Sequence, residues 1–548
     1  MPVPDINRET ESLPVGNDLP LDCVIPISRI PFEILKEVFL LVADNTWGEE
    51  PYSERSWIRV THVCRYWRTV AVDTAQLWCR IGSFSSDWID VQLERSKRAL
   101  LYVRIPHQLT RKERQRALKV LAQPHRLQSL SVYLHSGQRK HGAPPQPSPL
   151  IKSLLNVAAP SLTTLLIGSE DLPDPMCTLP SALLDGGTPL LRKLEIRDWD
   201  PQWSSPLFVG LTSLKISVRR RPQPFPLNTF LAALEKMPNL VEFEMKCISN
   251  AVTRPTTRLV QLAHLKSLVL RTSFEECVSI LSHIALPQTA YLELYLYFDY
   301  LPIHQPDALF RRLGESIERS FLSDPLSNPT LTFSNPRPIS PSPLPHHLEL
   351  TSLFISHETY QAKLGASWQN GSRAFMISLI ARGSIEHLIL KPFMITTLPF
   401  TSIRNVTLSG VVCRDTHKCL GSLPSIEKIH VLGEALGSFV TYAFNNMGKD
   451  VSGGRNSREN PTQRPIGHNA LSPNRSLCFP QLVFLDISNV RFSVEGNLSP
   501  WTNLLDFLRF RRHVLGPPIR RIWFSGCPDL TGQDIEDLKE LVHIVQWD

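Results

Sequence analysis

At 548 residues the chain exceeds one typical hydrophobic core, so it calls for several domains or an elongated array of repeats. Apolar residues make up 42% and charged residues 20%, enough for a folded interior, while 46 prolines against 25 glycines exclude long uninterrupted helices. A formal net charge of +7 is too dilute to point to a nucleic-acid partner, which needs a concentrated basic face; Arg219 to Arg221, and Arg509 with Arg511 and Arg512, read as solvated surface. In chain order, residues 1–24 read as a disordered N-terminus without the charged and apolar regions of a signal peptide. The ten cysteines are scattered with no CxxC pair, as expected of reduced thiols in an intracellular protein of the cytoplasm or nucleus. No apolar run approaches the roughly 18 residues that span a bilayer, so no membrane partner is expected.

Three short apolar elements follow. In "IPFEILKEVFLLVA" at 30–43, Ile30, Ile34, Leu35, Val38 and Phe39 recur at helical spacing, with Leu41 and Val42 behind, and Pro31 sits where a first helical turn tolerates it. In "WIRVTHVCRYWRTVA" at 57–71, Trp57, Val60, Val63, Cys64, Trp67, Val70 and Ala71 do the same. "DTAQLWCRIG" adds Leu77, Trp78 and Ile81. The apolar content exceeds what three short helices can hide from water, and that surplus predicts a docking face.

These residues resemble the F-box proteins. Ile30-Pro31, Glu33-Ile34-Leu35 and Val38-Phe39 match the opening of that family, Val63-Cys64-Arg65-Tyr66-Trp67-Arg68 its Val-Cys-Arg-x-Trp-Arg signature, and Thr74, Leu77 and Trp78 the Thr-x-x-Leu-Trp that follows. The version here looks most like the expanded F-box families of mushroom-forming fungi. Ile30 stands for the usual Leu, and the connection from Asp44 to Arg55 is longer than in a minimal F-box, which leaves the orientation of the second helix open. The resemblance implies an F-box over 25–83 that docks to a Skp-type adaptor, and through it to a cullin-RING ubiquitin ligase, while the remainder holds a protein substrate. It implies no catalysis by this chain and no cofactor. The implied adaptor face is Ile30, Pro31, Ile34, Leu35, Val38 and Phe39, with Val63 and Trp67; the last two read equally as packing of the module's own core.

From residue 84 onward a six-residue pattern, LxxLxL with aliphatic or aromatic substitutions, recurs fourteen times, starting at Leu100, Leu127, Leu162, Leu191, Leu211, Leu240, Leu265, Thr289, Leu350, Ile385, Ile403, Ile426, Leu482 and Ile519. Each unit ends in the apolar and polar alternation of a half-buried strand. Amphipathic helical stretches lie between, at 227–237, 501–515 and 534–545. The fold class is therefore α/β: a small helical module, then an irregular array of strand-helix repeats over 84–548, each burying its apolar face against its neighbours. "IRRIWFSGCPDLTGQDIEDL" resembles the cysteine-containing leucine-rich repeat, so Cys527 reads as structural. Insertions near 136–149, 323–347 and 447–476 have too little apolar content to order themselves; the second, with seven prolines, could serve as a ligand for an SH3 or WW type domain.

In such an array the leucines point inward and the intervening strand residues share one outer surface, mixed in charge with a Tyr291, Tyr295 and Tyr297 edge. Arg197, Arg271, Tyr295 and Tyr297 are the substrate-binding candidates, since arginine and aromatic residues anchor interfaces. No phosphate-binding Gly-rich loop, GxSxG or HExxH occurs, and Cys413, His417 and Cys419 lack a fourth ligand of suitable spacing, so no catalytic or metal site is expected. The competing reading is a leucine-rich scaffold with no role in ubiquitination.

Overall fold

The computed structural model describes residues 30–46, 56–82, 84, 88–133, 149–169, 178–221, 225–249, 258–287, 289–297, 312–313, 315–317, 350–358, 361–368, 373–380, 403–410, 412, 414–446, 479–492, 500–513 and 518–548. The N-terminal 24 residues, the insertions near 323–347 and 447–476, nearly all of that near 136–149, and the repeat unit at Ile385 lie outside them. The chain divides into two compact units, residues 1–132 with 159–162, and 133–158 with 163–548.

In the first unit, α1 (Phe32–Thr46) starts directly after Pro31, whose carbonyl accepts the Leu35 amide at 3.0 Å. The stretch at 57–71 is two elements rather than one helix: a 3-10 segment, Ser56–His62, then α2 (Arg65–Asp73). Cys64 makes the break, because its extended backbone (φ −156°, ψ 173°) leaves the helical region while its Sγ accepts the Trp67 amide at 3.4 Å as an N-cap. A second 3-10 turn (Ala75–Trp78) leads into β1 (Arg80–Ile81) and α3 (Trp88–Arg95). β2 (Leu101–Ile105) pairs in parallel with β1 and with β3 (Leu127–Tyr133), and α4 (Arg111–Leu121) connects the latter two. The core joins Leu35, Phe39 and Ala43 of α1 to Trp57, Val70, Ala71, Leu77 and Trp78. Arg126 is buried and clamps the turn before β2, its guanidinium donating to Ala99 O, Ser96 Oγ and Gln123 Oε1.

The second unit is built on parallel strands in chain order. The pairings run through β4 (Thr164–Gly168), β5 (Lys193–Arg197), β6 (Ser213–Arg221), β7 (Glu242–Ser249), β9 (Ser267–Ser273) and β11 (Tyr291–Tyr297), with the short pair β8 (Val260–Gln261) and β10 (Ile284–Ala285) apart. Register puts like residues side by side: Leu194, Leu214, Phe243, Leu268 and Leu292 form one inward row, Ile196, Ile216, Met245, Leu270 and Leu294 the next. All ten are buried, and α6 (Leu227–Leu234) and α7 (Phe274–Leu281) add their own buried apolar sides. Continuing, β15 (Asn405–Gly410), β16 (Lys428–Leu432), β17 (Phe484–Ser488), β18 (Arg521–Ser525) and β19 (Ile544–Trp547) are again parallel.

Thirteen of the fourteen six-residue units thus run into a strand. Two features depart from the sequence reading. Between β11 and β15 the order is β14 (Arg373–Ile380), β13 (Gln361–Trp368), β12 (Leu350–Glu358), and β13 is antiparallel to both its neighbours. The helical stretch at 534–545 ends early: α11 (Gly532–Lys539) is closed at its start by a Thr531–Asp534 capping box, and from Ile544 the chain becomes β19. Ladder bonds to β18 decide this, with β-branched Ile544 and Val545 well suited to a strand. The remaining helices of the unit are α5 (Pro149–Lys152), α8 (Arg414–Gly421), α9 (Ala435–Asn446) and α10 (Pro500–His513).

After β18, Gly526 turns the chain with φ +60°, and a Cβ there would lie 2.7 Å from Asn489 Oδ1. Gly526→Ala is therefore expected to cost about 2 kcal/mol, from left-handed strain plus displacement of Asn489. Urea unfolding of the full chain, followed by tryptophan fluorescence, measures it. The next residue, Cys527, is buried, with Sγ 3.8 Å from Ile487 O; burial pushes its thiol pKa up, against the opposing effect of backbone hydrogen bonds.

Candidate functional site

Two surfaces, one in each unit, carry the residues singled out in the sequence. The first is α1. At about 100° per residue, neighbours such as Ile34 and Leu35, or Val38 and Phe39, point in different directions, so the helix carries two apolar stripes rather than one. Leu35 and Phe39 are each 1% exposed, inside the core with Ala43, and Phe39 meets the Trp67 ring edge-on at 5.0 Å. Ile34, Val38 and Leu41 are 56%, 42% and 62% exposed and recur at i, i+4 and i+7, with Val42 beside them and Pro31 at the helix start. A helix apolar on both sides has one stripe left over after its own core is filled. That leftover stripe is the exposed one.

The structure therefore separates the eight residues expected on the adaptor face. Pro31, Ile34, Val38 and Val63 are on the surface, Val63 at 55% exposure. Ile30 is half-buried, and its carbonyl accepts the Tyr66 hydroxyl at 3.0 Å. Leu35 and Phe39 are interior, and Trp67 is half-buried against Phe39. Leu41 and Val42, which sequence spacing set behind the face, are on the surface with Ile34.

The second surface is the outer side of β5, β6, β7, β9 and β11. Register aligns Glu195, Lys215, Glu244, Val269 and Glu293 in one row and Arg197, Ser217, Lys246, Arg271 and Tyr295 in the next. Opposite charges pair along and between the rows: Lys215 with Glu244 at 3.7 Å along the first, and Arg197 with Glu195 at 2.5 Å and Arg271 with Glu244 at 3.8 Å between the two. Such half-exposed pairs add little stability but hold the long side chains in place. The Arg271 guanidinium lies 4.3 Å from the Tyr295 ring centre, and the Tyr295 hydroxyl donates to Glu293 Oε1 at 2.6 Å. That hydrogen bond to a carboxylate, with burial adding to it, raises the Tyr295 pKa. Arg197 also donates to the Tyr133 hydroxyl at 3.2 Å. Arg197, Arg271 and Tyr295 are thus braced by neighbours; Tyr297 ends the same strand, half-buried. A recess lined by Glu195, Lys215, Ser217, Glu244, Lys246 and Arg271 runs along the rows.

His417, from the sequence cluster considered for a metal, is fully buried and joins α8 to α9 through Ser438 Oγ at 3.2 Å. Among the described residues no group of three or more His, Cys, Asp or Glu is placed to hold a metal ion. Nor, among them, is any helix long and apolar enough to cross a membrane.

Residues 27–82 match the F-box-like family. The chain carries an F-box-like domain. That match spans α1, both 3-10 turns and α2, the segment that bears the uncovered apolar stripe. No curated protein matches the chain. An F-box-like domain indicates, in general terms, a protein that binds a Skp-type adaptor within cullin-RING complexes.

Proposed function

We propose that the protein is a substrate receptor of an SCF-type cullin-RING ubiquitin ligase, acting inside the cell without catalysis of its own. The observation that carries this is the exposed row Ile34, Val38 and Leu41, with Val42 and Val63, in the F-box-like domain. The Skp-type adaptor covers that row. Leu35, Phe39 and Trp67 hold the helix from beneath. The second unit is a degenerate leucine-rich repeat array whose outer strand face takes a protein substrate, with Arg197, Arg271, Tyr295 and Tyr297 as anchors. In this reading the chemistry is proximity: tethering turns the encounter of a substrate lysine with the charged conjugating enzyme into an intramolecular event. The F-box sequence resembles the expanded families of mushroom-forming fungi, so the substrate belongs to this copy and is not fixed by the F-box.

The test is a pull-down of the full chain with purified Skp-type adaptor, comparing wild type with Ile34→Asp plus Leu41→Asp. Both positions are exposed, so the variant keeps its circular dichroism and melting temperature. Burying two unpaired carboxylates in the complex is expected to cost several kcal/mol and abolish binding. Failure of the wild type to bind would leave a leucine-rich scaffold outside ubiquitination.

A further inference from the structure

Residues 94–126 hold ten Lys and Arg against two acids, a net of +8, whereas the whole chain carries +7; everything else therefore sums to −1. The charge is not dilute, as it looks from the total, but concentrated in the turn before β2 and in β2 and α4. Several of these cations are engaged locally. Arg126 is clamped in the interior, Arg95 lies 4.4 Å from the Trp78 ring centre, Arg116 donates to Phe84 O at 3.1 Å, and Lys119 reaches Asp90 at 3.0 Å. Arg111, Lys112 and Arg114 on α4, with Lys97 and Arg98 in the turn, are exposed and make no ion pair among the described residues.

Placement of Arg111 and Lys112 works against stability. α4 buries Ala117, Val120 and Leu121, and Arg111, Lys112 and Lys119 lie on the opposite side, away from the core. Arg111 and Lys112 are the first two helical residues, at the end where the helix dipole favours acids. Glu113, the lone acid of α4, directs its carboxylate to the Thr110 amide at 2.8 Å as a capping box. Packing, capping and the Lys119–Asp90 pair thus account for Ala117, Glu113 and Lys119 but not for Arg111 and Lys112.

We propose that the outer side of α4, Arg111 and Lys112 with Lys119 beside its Asp90 partner, is a docking surface for an acidic segment of a protein partner. The α4 axis is about 16 Å long, the reach of about five residues of extended chain. Guanidinium groups suit two-pronged hydrogen bonding to carboxylates. The row has no aromatic side chain on which a base could stack, which favours an acidic polypeptide over single-stranded nucleic acid. The surface shares no residue with the apolar stripe of α1 and stands whether or not that stripe docks an adaptor.

Fluorescence polarisation of the full chain with a short labelled peptide of Glu and Asp tests this. Wild type is expected to bind, with affinity falling as salt shortens the screening length. Arg111→Glu with Lys112→Glu is expected to weaken binding at least about tenfold, two lost pairs and two repulsions. The same variant should melt no lower than wild type, because acids in the first turn complement the dipole, and it should still capture the adaptor if wild type does. No binding by wild type, or equal binding by the variant, overturns the proposal. So does tighter binding of a single-stranded or duplex oligonucleotide of equal charge, which would reassign the row to nucleic acid.

Discussion

Trp78→Ala is expected to unfold the F-box-like domain, at a cost of about 3–5 kcal/mol. Trp78 is fully buried, packs edge-on against Trp57 at 5.2 Å and obliquely against Trp88 at 5.4 Å, and its Nε1 donates to Ala71 O at 2.9 Å. The substitution removes the side chain that joins the 3-10 segment, α2 and α3 around one ring, and leaves the Ala71 carbonyl without that donor. A domain of this size has little stability in reserve, so a loss of this order is a large part of the total. Thermal melting of the full chain should show the first unit unfolding separately and earlier, and adaptor capture should fall with it. Phe39→Asp should behave in the same way, because it buries a charge in the same core, whereas Ile34→Asp should leave the melt unchanged. If Trp78→Ala lost less than about 1 kcal/mol, the three aromatic rings would not be what holds the domain together.

The contrast between Phe39 and Ile34 shows where the sequence was legible and where it was not. Strands were readable because period-2 alternation ties each inward leucine to a fixed register; Leu194, Leu214, Phe243, Leu268 and Leu292 align as their spacing predicts. On α1 the pattern was apolar on both sides, and spacing by itself does not say which stripe the module buries. The packing of Trp57, Trp67 and Trp78 decides it. The antiparallel β13 was missed because "QAKLGASW" carries neither the LxxLxL pattern nor a continuous apolar run. The basic surface was missed for another reason: consecutive runs such as Arg219 to Arg221 draw the eye, whereas the cations of 94–126 are spaced along a turn, a strand and a helix. A windowed charge count over the sequence would have found them.

Acidification should destabilise the second unit through His417, and by more than its carboxylates account for. Ser438 Oγ donates to Ala435 O at 3.0 Å, so its oxygen accepts from His417 Nε2–H at 3.2 Å, which assigns the neutral tautomer with a bare Nδ1. Nδ1 is buried without a hydrogen-bond partner among the described residues, and the ring stacks on Tyr442 at 5.4 Å. Desolvation there lowers the pKa from 6.5 to about 4. Between those values the unfolded chain binds a proton that the folded one refuses, so stability is present above pH 6.5 and drains away as pH falls toward 4. The loss is about 2 kcal/mol by pH 5 and about 3 kcal/mol by pH 4. Denaturant midpoints measured from pH 7 down to pH 4 on wild type and His417→Phe separate this proton from the others, because only the difference between the two curves belongs to His417. A parallel pair of curves would mean that the ring is solvated enough to charge freely, contrary to its burial between α8 and α9.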